Sequence, residues 1–257
     1  MMGATLTLLT DYNAVGAGKT RHKDRKDHHL VRPILSKLST LHLSRLTEEH
    51  CMLDRWALPL IQKPLNQIAD VCQQRDIHAN QVTVTGFVLG LLVVPSLYVG
   101  WYWLALILIL MNRVFDGVDG VLARQTGATD QGAFLDITLD FIFYAAVVFG
   151  FALANPADNA LAASALLLSF MGTGVSFLAF AIMAERRNLS RIQYPNKGIY
   201  YLSGLAEGTE TIAFFVGFCL WPQHFAVLAW SFAGMCVLSA TLRIWSGYHS
   251  LSGQADD

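Results

Sequence analysis

The chain has 257 residues, 54% of them hydrophobic and only 14% charged, with a formal net charge of -1. A soluble domain carries about a quarter charged residues, so this composition excludes an ordinary soluble enzyme and points to an integral membrane protein. The near-neutral balance hides an asymmetry, because eleven of the eighteen Lys and Arg precede residue 76. A basic start ahead of an almost uncharged remainder faces a membrane surface rather than nucleic acid.

Residues 1–51 carry the charged stretch "AGKTRHKDRKDHH" and no apolar periodicity, so they read as a poorly ordered tail. Their apolar run comes before the charges, the reverse of a cleavable leader. "GAGKT" is not a phosphate loop, because the pattern needs a glycine at position 13 and Asn13 stands there. Met52 stands directly ahead of organised sequence, and residues 52–257 are expected to form one membrane domain. Cys51, Cys72, Cys219 and Cys236 have neither disulfide-framework nor zinc spacing.

From 65 to 75, Leu65, Ile68 and Val71 or Cys72 recur at helical spacing among polar residues, with Pro64 at the first helical position. With Trp56 ahead of it, this predicts a short amphipathic helix lying in the membrane interface. Six spans follow, at roughly 81–99, 101–122, 132–154, 159–184, 202–221 and 224–245, each near the ~20 residues that cross the hydrocarbon. The fold class is therefore an all-α bundle of about six transmembrane helices behind an interfacial helix. Asn80 is placed to cap the first span, and Pro95 to bend its far end. The connectors "VGW", "NPADN" and "WPQH" lack Lys and Arg, whereas Arg124, Arg186, Arg187, Arg191, Lys197 and Arg243 fall on the opposite side. By the positive-inside rule both termini are cytoplasmic.

One segment breaks the apolar pattern. Between 112 and 140, "NRVFDGVDGVLARQTGATDQGAFLDITLD" holds five aspartates and two arginines. Each charge at a helix centre costs roughly 3 kcal/mol on insertion scales, so such residues mark a functional site. Asp116 and Asp119 share one face of their helix, and Asp136 and Asp140 share one face of the next. The connection between is short and contains Gly127 and Gly132, which makes the two helices antiparallel neighbours. Four carboxylates then converge at the cytoplasmic interface. All-oxygen ligands of this kind suit Mg²⁺ or Mn²⁺, and two such ions can clamp a phosphate that is being displaced. Gly117, Gly120 and Ala123 leave room for a ligand or a partner backbone, while Arg124 offers a fork for phosphate oxygens. Arg113, one turn before Asp116, is expected to neutralise a carboxylate.

The segment resembles the CDP-alcohol phosphatidyltransferase family, whose motif is D-x-x-D-G-x-x-A-R followed by G-x-x-x-D-x-x-x-D. Asp116, Asp119, Gly120, Ala123, Arg124, Gly132, Asp136 and Asp140 match every fixed position. Seven residues rather than the more usual eight separate Arg124 from Gly132, which bears on the approach to the nucleotide and leaves the helical spacings intact. The resemblance covers about residues 53–250 and implies transfer of a phosphatidyl group from a CDP-linked lipid to an alcohol, with release of CMP. It implies that Asp116, Asp119 and Asp136 hold two divalent ions, and that Asp140 completes the metal site and serves as the base. It also implies that Gly120, Ala123, Arg124 and Gly132 lie at the nucleotide, and that the enzyme is a homodimer in a membrane, read as a bacterial inner membrane with a cytoplasmic active site. Thr83 in "ANQVT" is similar to the family's N-terminal Asn-x-x-Thr element, or is part of a plain helix cap. Arg191 and Lys197 attract a phosphorylated acceptor or only satisfy the positive-inside rule. Glu207 and Glu210 line the acceptor pocket or pair with Lys197 or Arg113. The alternative from another class is a divalent-cation or proton-coupled carrier. Glycines beside the aspartates and a one-sided carboxylate cluster favour the transferase, and the motif leaves the acceptor alcohol open.

A chain beginning at Met52 should still insert into membranes and release CMP from CDP-diacylglycerol, because residues 1–51 lack core-forming periodicity. Loss of both insertion and activity on truncation would make the tail structural.

Overall fold

The computed structural model describes residues 54–186 and 208–252, and every regular element among them is helical. The elements are α1 (Asp54–Gln74), α2 (Ala79–Leu91), α3 (Val93–Tyr98), α4 (Tyr102–Thr126), α5 (Asp130–Ala154), α6 (Pro156–Arg186), α7 (Gly208–Leu220) and α8 (Phe225–Ser252). A 3₁₀ turn, Pro222–His224, joins the last two. Four stretches are long and apolar enough to cross a membrane: Ala79–Tyr98, Asp130–Ala154, Pro156–Ala184 and Pro222–Ser252. Helix α4 has the length but not the uniform apolarity, because its second half carries Arg113, Asp116, Asp119 and Arg124. The described part of α7 is shorter than a full crossing, since residues 202–207 of the expected fifth span lie outside the described residues. The tail expected over 1–51 also lies outside them.

Three local expectations change. The interfacial helix starts at Asp54, so Pro64 sits inside it rather than at its first position. A proline forfeits its own backbone bond, but the turns on either side keep theirs and continue the helix. Its buried stripe is Leu65, Ala69 and Cys72, which packs on Val118, Val121 and Leu122 of α4. Ile68 and Val71 stay exposed, on the flank where an interfacial helix meets lipid. The cap of α2 is His78, whose backbone N–H donates to the Gln81 side chain at 3.0 Å. Asn80 falls one residue inside the helix, too late to cap it. Pro95 acts earlier than a bend at the span's end. Lacking an N–H to donate four residues back, it separates α2 from α3 at Leu92.

Packing is organised around α2 and around the α6–α8 pair. Helix α2 lies against both α4 and α5, whereas α4 and α5 touch each other only sparsely among the described residues. The short connection reverses the chain, so the two are consecutive, but α2 wedges them apart. Glycines make the wedge fit. A Cβ on Gly86 would stand 2.4 Å from Phe115 Cβ, and one on Gly90 would stand 2.9 Å from the Asn112 amide and 3.0 Å from the Phe143 ring. Toward the ends of α5 and α7 farther from the aspartates, a core of buried and half-buried phenylalanines closes the bundle. Phe151 stacks on Phe225 at 4.8 Å and Phe214 on Phe232 at 4.3 Å, geometries worth about 0.5–1.5 kcal/mol per pair beyond area burial.

Gly86→Ala should lower the melting temperature of the detergent-solubilised protein, because overpacking a filled contact costs typically ~1–3 kcal/mol. Unchanged melting would show that α2 and α4 can part without penalty.

Candidate active site

The gap that α2 holds open between α4 and α5 is where the carboxylates gather. A pocket there is lined by Thr83 of α2, by Arg113, Asp116 and Asp119 of α4 and by Asp136 and Asp140 of α5. Helical spacing puts each pair one turn apart on its own helix. Thr129 caps α5, its hydroxyl accepting from Gly132 N–H at 3.1 Å. Gly127, at φ +102°, supplies the left-handed turn that lets α4 stop within reach of that cap. The start of α5 is thereby registered against the end of α4.

Asp116, Asp136 and Asp140 each offer one oxygen, and these three atoms lie within 4.8 Å of one another. Asp119 is the most buried of the four carboxylates at 5% exposure, and its Oδ2 makes no hydrogen bond. It faces the same pocket beside Thr83, whose hydroxyl donates to the Ala79 carbonyl at 3.0 Å. Three clustered hard oxygens and a fourth, buried and unpartnered, are a donor set that fits a hard divalent ion such as Mg²⁺ or Mn²⁺.

The protein's own cation at this site is Arg113. Its guanidinium donates to Asp140 Oδ1 at 2.9 Å and to the Tyr144 hydroxyl at 3.0 Å, and lies 4.0 Å from Asp116 Oδ1. It also donates to Asn112 Oδ1 and sits over the rings of Phe143 and Tyr144, 5.1 Å from each centroid. Neutralisation of a carboxylate was legible from spacing, and Asp140 rather than Asp116 is the closer partner. Asn112 and Tyr144 escaped the sequence reading. The available signals were an amide abutting the apolar run and a hydroxyl one turn beyond Asp140.

The remaining expected residues divide. Gly120 faces open space, where a Cβ would meet only the Arg124 guanidinium at 3.5 Å. Gly117, by contrast, is filled by Leu65 of α1, 3.0 Å from where its Cβ would be. Gly132 lies against the Asn80 side chain at 3.0 Å, again measured from a Cβ position. Ala123 is half-buried and Arg124 exposed, and neither lines the carboxylate pocket. Glu210 is half-buried in the first turn of α7. Arg191, Lys197 and Glu207 lie outside the described residues. Arg243, counted among the cytoplasmic charges, is buried between α6 and α8, donating to the Thr173 carbonyl at 3.2 Å with Phe177 beneath it.

Comparison with known proteins gives the family. The profile of the family described as CDP-alcohol phosphatidyltransferase matches residues 76–245, beginning just past α1 and thus narrower than the 53–250 expected. The chain is 50% identical over 200 residues, 78% of its length, to 97% of the "Inner membrane protein YnjF" of Escherichia coli. It is 36% identical over 98 residues, 38% of its length, to 52% of the archaetidylinositol phosphate synthase of Pyrococcus horikoshii. It is 31% identical over 136 residues, 49% of its length, to 64% of the phosphatidylinositol phosphate synthase of Cutibacterium acnes.

Titration of the purified protein with Mn²⁺, followed by the electron paramagnetic resonance of the free ion, should show saturable binding. Asp116→Asn and Asp136→Asn should each weaken it by more than about tenfold, the least that even the partners of metal ligands cost. Binding that survives both substitutions would remove the ion from this pocket.

Proposed function

The chain belongs to the CDP-alcohol phosphatidyltransferase family, membrane enzymes that move a phosphatidyl group from a CDP-linked lipid to an alcohol in phospholipid synthesis, and we propose how its residues divide that work. The donor we assign is CDP-diacylglycerol. The observation that carries this reading is the convergence of carboxylate oxygens from two helices, with α2 keeping those helices apart so that a diphosphate can enter.

In this reading Asp116, Asp119 and Asp136 hold the divalent ions, Asp140 completes their site, and open space at Gly120 and Ala123 admits the cytidine. Arg124, folded toward Gly120, supports the nucleotide phosphates, with Thr83 and Gly132 nearby on the walls. Those four carboxylates would hold Mg²⁺ or Mn²⁺, which when bound would supply positive charge to the diphosphate and to the departing CMP phosphate. Asp140 takes the proton of the acceptor hydroxyl as that oxygen bonds to the phosphorus carrying the diacylglycerol. The bond from the same phosphorus to the CMP oxygen breaks, and CMP leaves. The low polarity around Phe115, Leu139 and Phe87 limits competing attack by water.

For the acceptor, the names of the two synthase relatives favour a phosphorylated inositol, and Arg191, Lys197, Glu207 and Glu210 are the side chains we assign to it. The distribution of Lys and Arg supports cytoplasmic termini and a cytoplasmic active site, in a membrane that the Escherichia coli relative's name suggests is an inner membrane. Membership of the family supports a homodimer, and the family match over 76–245 falls within the residues 52–257 that we assign to the catalytic domain behind a 1–51 tail.

Purified protein should release CMP from CDP-diacylglycerol when supplied with one member of a labelled panel including inositol phosphate, glycerol 3-phosphate and serine. No release with any acceptor, in either metal, would overturn the assignment. Asp140→Asn should cut turnover ~10²–10⁴-fold, the usual worth of general base assistance, while CDP-lipid binding persists. Near-normal turnover would remove Asp140 from the chemistry.

A further inference from the structure

Asp140 carries two assignments that compete. A carboxylate with both oxygens on a metal is a poor base, and one that stands free is a poor ligand. The structure contains a device that separates these uses. Arg113 donates to Oδ1 of Asp140 at 2.9 Å, so one oxygen of a carboxylate that lines the pocket is already engaged by a protein donor. The guanidinium is not a surface charge that happens to fall nearby. Its Nη1 donates to the Tyr144 hydroxyl at 3.0 Å and its Nε to Asn112 Oδ1 at 3.0 Å, while Phe143 and Tyr144 flank it.

Asn112 is itself immobilised. It is buried, and its amide donates to the Gly86 carbonyl at 3.0 Å, at the point where α2 presses closest on α4. The Tyr144 ring is held edge-on by Phe215 of α7 at 5.7 Å. Contacts to α2, α4, α5 and α7 therefore decide where one guanidinium sits. A rigid planar fork serves this purpose, and a lysine with its single rotating ammonium could not make the same set of bonds.

We propose that Arg113 is a positioning residue that ties up one oxygen of Asp140, limits that carboxylate's hold on the metal and so keeps it available for the acceptor hydroxyl. The proposal rests on the base role assigned to Asp140 above. It has an unusual signature. Removing Arg113 deletes a positive charge beside the metal site and frees a carboxylate oxygen, so metal should bind more tightly while catalysis falls. A side chain needed only for folding would weaken both together.

The test measures Mn²⁺ affinity by direct titration and turnover by CMP release on the same preparations. Arg113→Gln should bind Mn²⁺ about three- to tenfold more tightly, a modest response to one lost charge at close range in a partly solvated site. Its turnover should fall ~10–100-fold, the usual cost of losing a group that orients a metal ligand. Tyr144→Phe keeps the ring and removes only the anchoring hydroxyl. It should lower turnover by a smaller factor without weakening Mn²⁺ binding, and it carries the test if Arg113→Gln does not fold. Mn²⁺ affinity that falls in step with turnover, or turnover that is unchanged in both variants, would overturn the proposal. Wild-type protein and Asp140→Asn are measured alongside. A wild type that neither binds Mn²⁺ nor releases CMP refutes the underlying function, whereas a normal wild type with an Arg113→Gln that binds no tighter, or a Tyr144→Phe that binds more weakly, refutes this inference alone.

Discussion

Four carboxylates concentrated at one end of an apolar bundle repel one another, and each is costly to bury without countercharge. Much of the architecture around α4 and α5 answers that constraint. Asp116, Asp136 and Asp140 bring oxygens within 4.8 Å, and Asp119 stands buried beside them with an oxygen that no protein group satisfies. Among the described residues one cation, Arg113, lines this pocket, and it pairs with Asp140 and more distantly with Asp116. The remaining negative charge is what a hard divalent ion would neutralise, and a diphosphate would need such an ion in order to approach carboxylates at all.

The rest of the bundle keeps this charged gap from collapsing. Two helices joined by a three-residue connection would ordinarily pack along their length. Here α2 holds them apart, and its Gly86 and Gly90 allow it to sit close enough to do so. The phenylalanine core sets the opposite end of the bundle and gives α5 and α7 a rigid seat. A pocket that is polar in its lining and rigid in its walls follows from that division. Preorganised polar groups cost no rearrangement when charge develops.

Neighbouring glycines of one motif do different work. Gly117 is occupied by Leu65 of α1, so its missing side chain docks the interfacial helix. Gly120, one turn on, faces open space and remains free for a ligand. The hydrogen bond from Gln125 to Asp70 at 2.9 Å adds a second tie between α1 and the end of α4. The helix expected to lie in the membrane interface thus also packs on the segment of α4 that carries Asp116 and Asp119.

The sequence by itself determined the membrane class, the helical class and the identity of the four aspartates. Hydropathy reports what lipid accepts, and a spacing of three or four residues sets a shared helical face wherever that helix ends up. It also placed Arg113 within reach of a carboxylate, because i, i+3 geometry is local. It did not reveal that α4 and α5 stand apart, that Asn112 and Tyr144 anchor the arginine, or that Arg243 is interior. Those facts depend on which helix faces which, and residues 86, 112, 140 and 144 meet only after several helices have packed. The interior proline of α1 and the His78 cap were misread for a related reason. Local rules rank the residues that can start a helix, but packing on α4 determines which apolar residues of α1 turn inward.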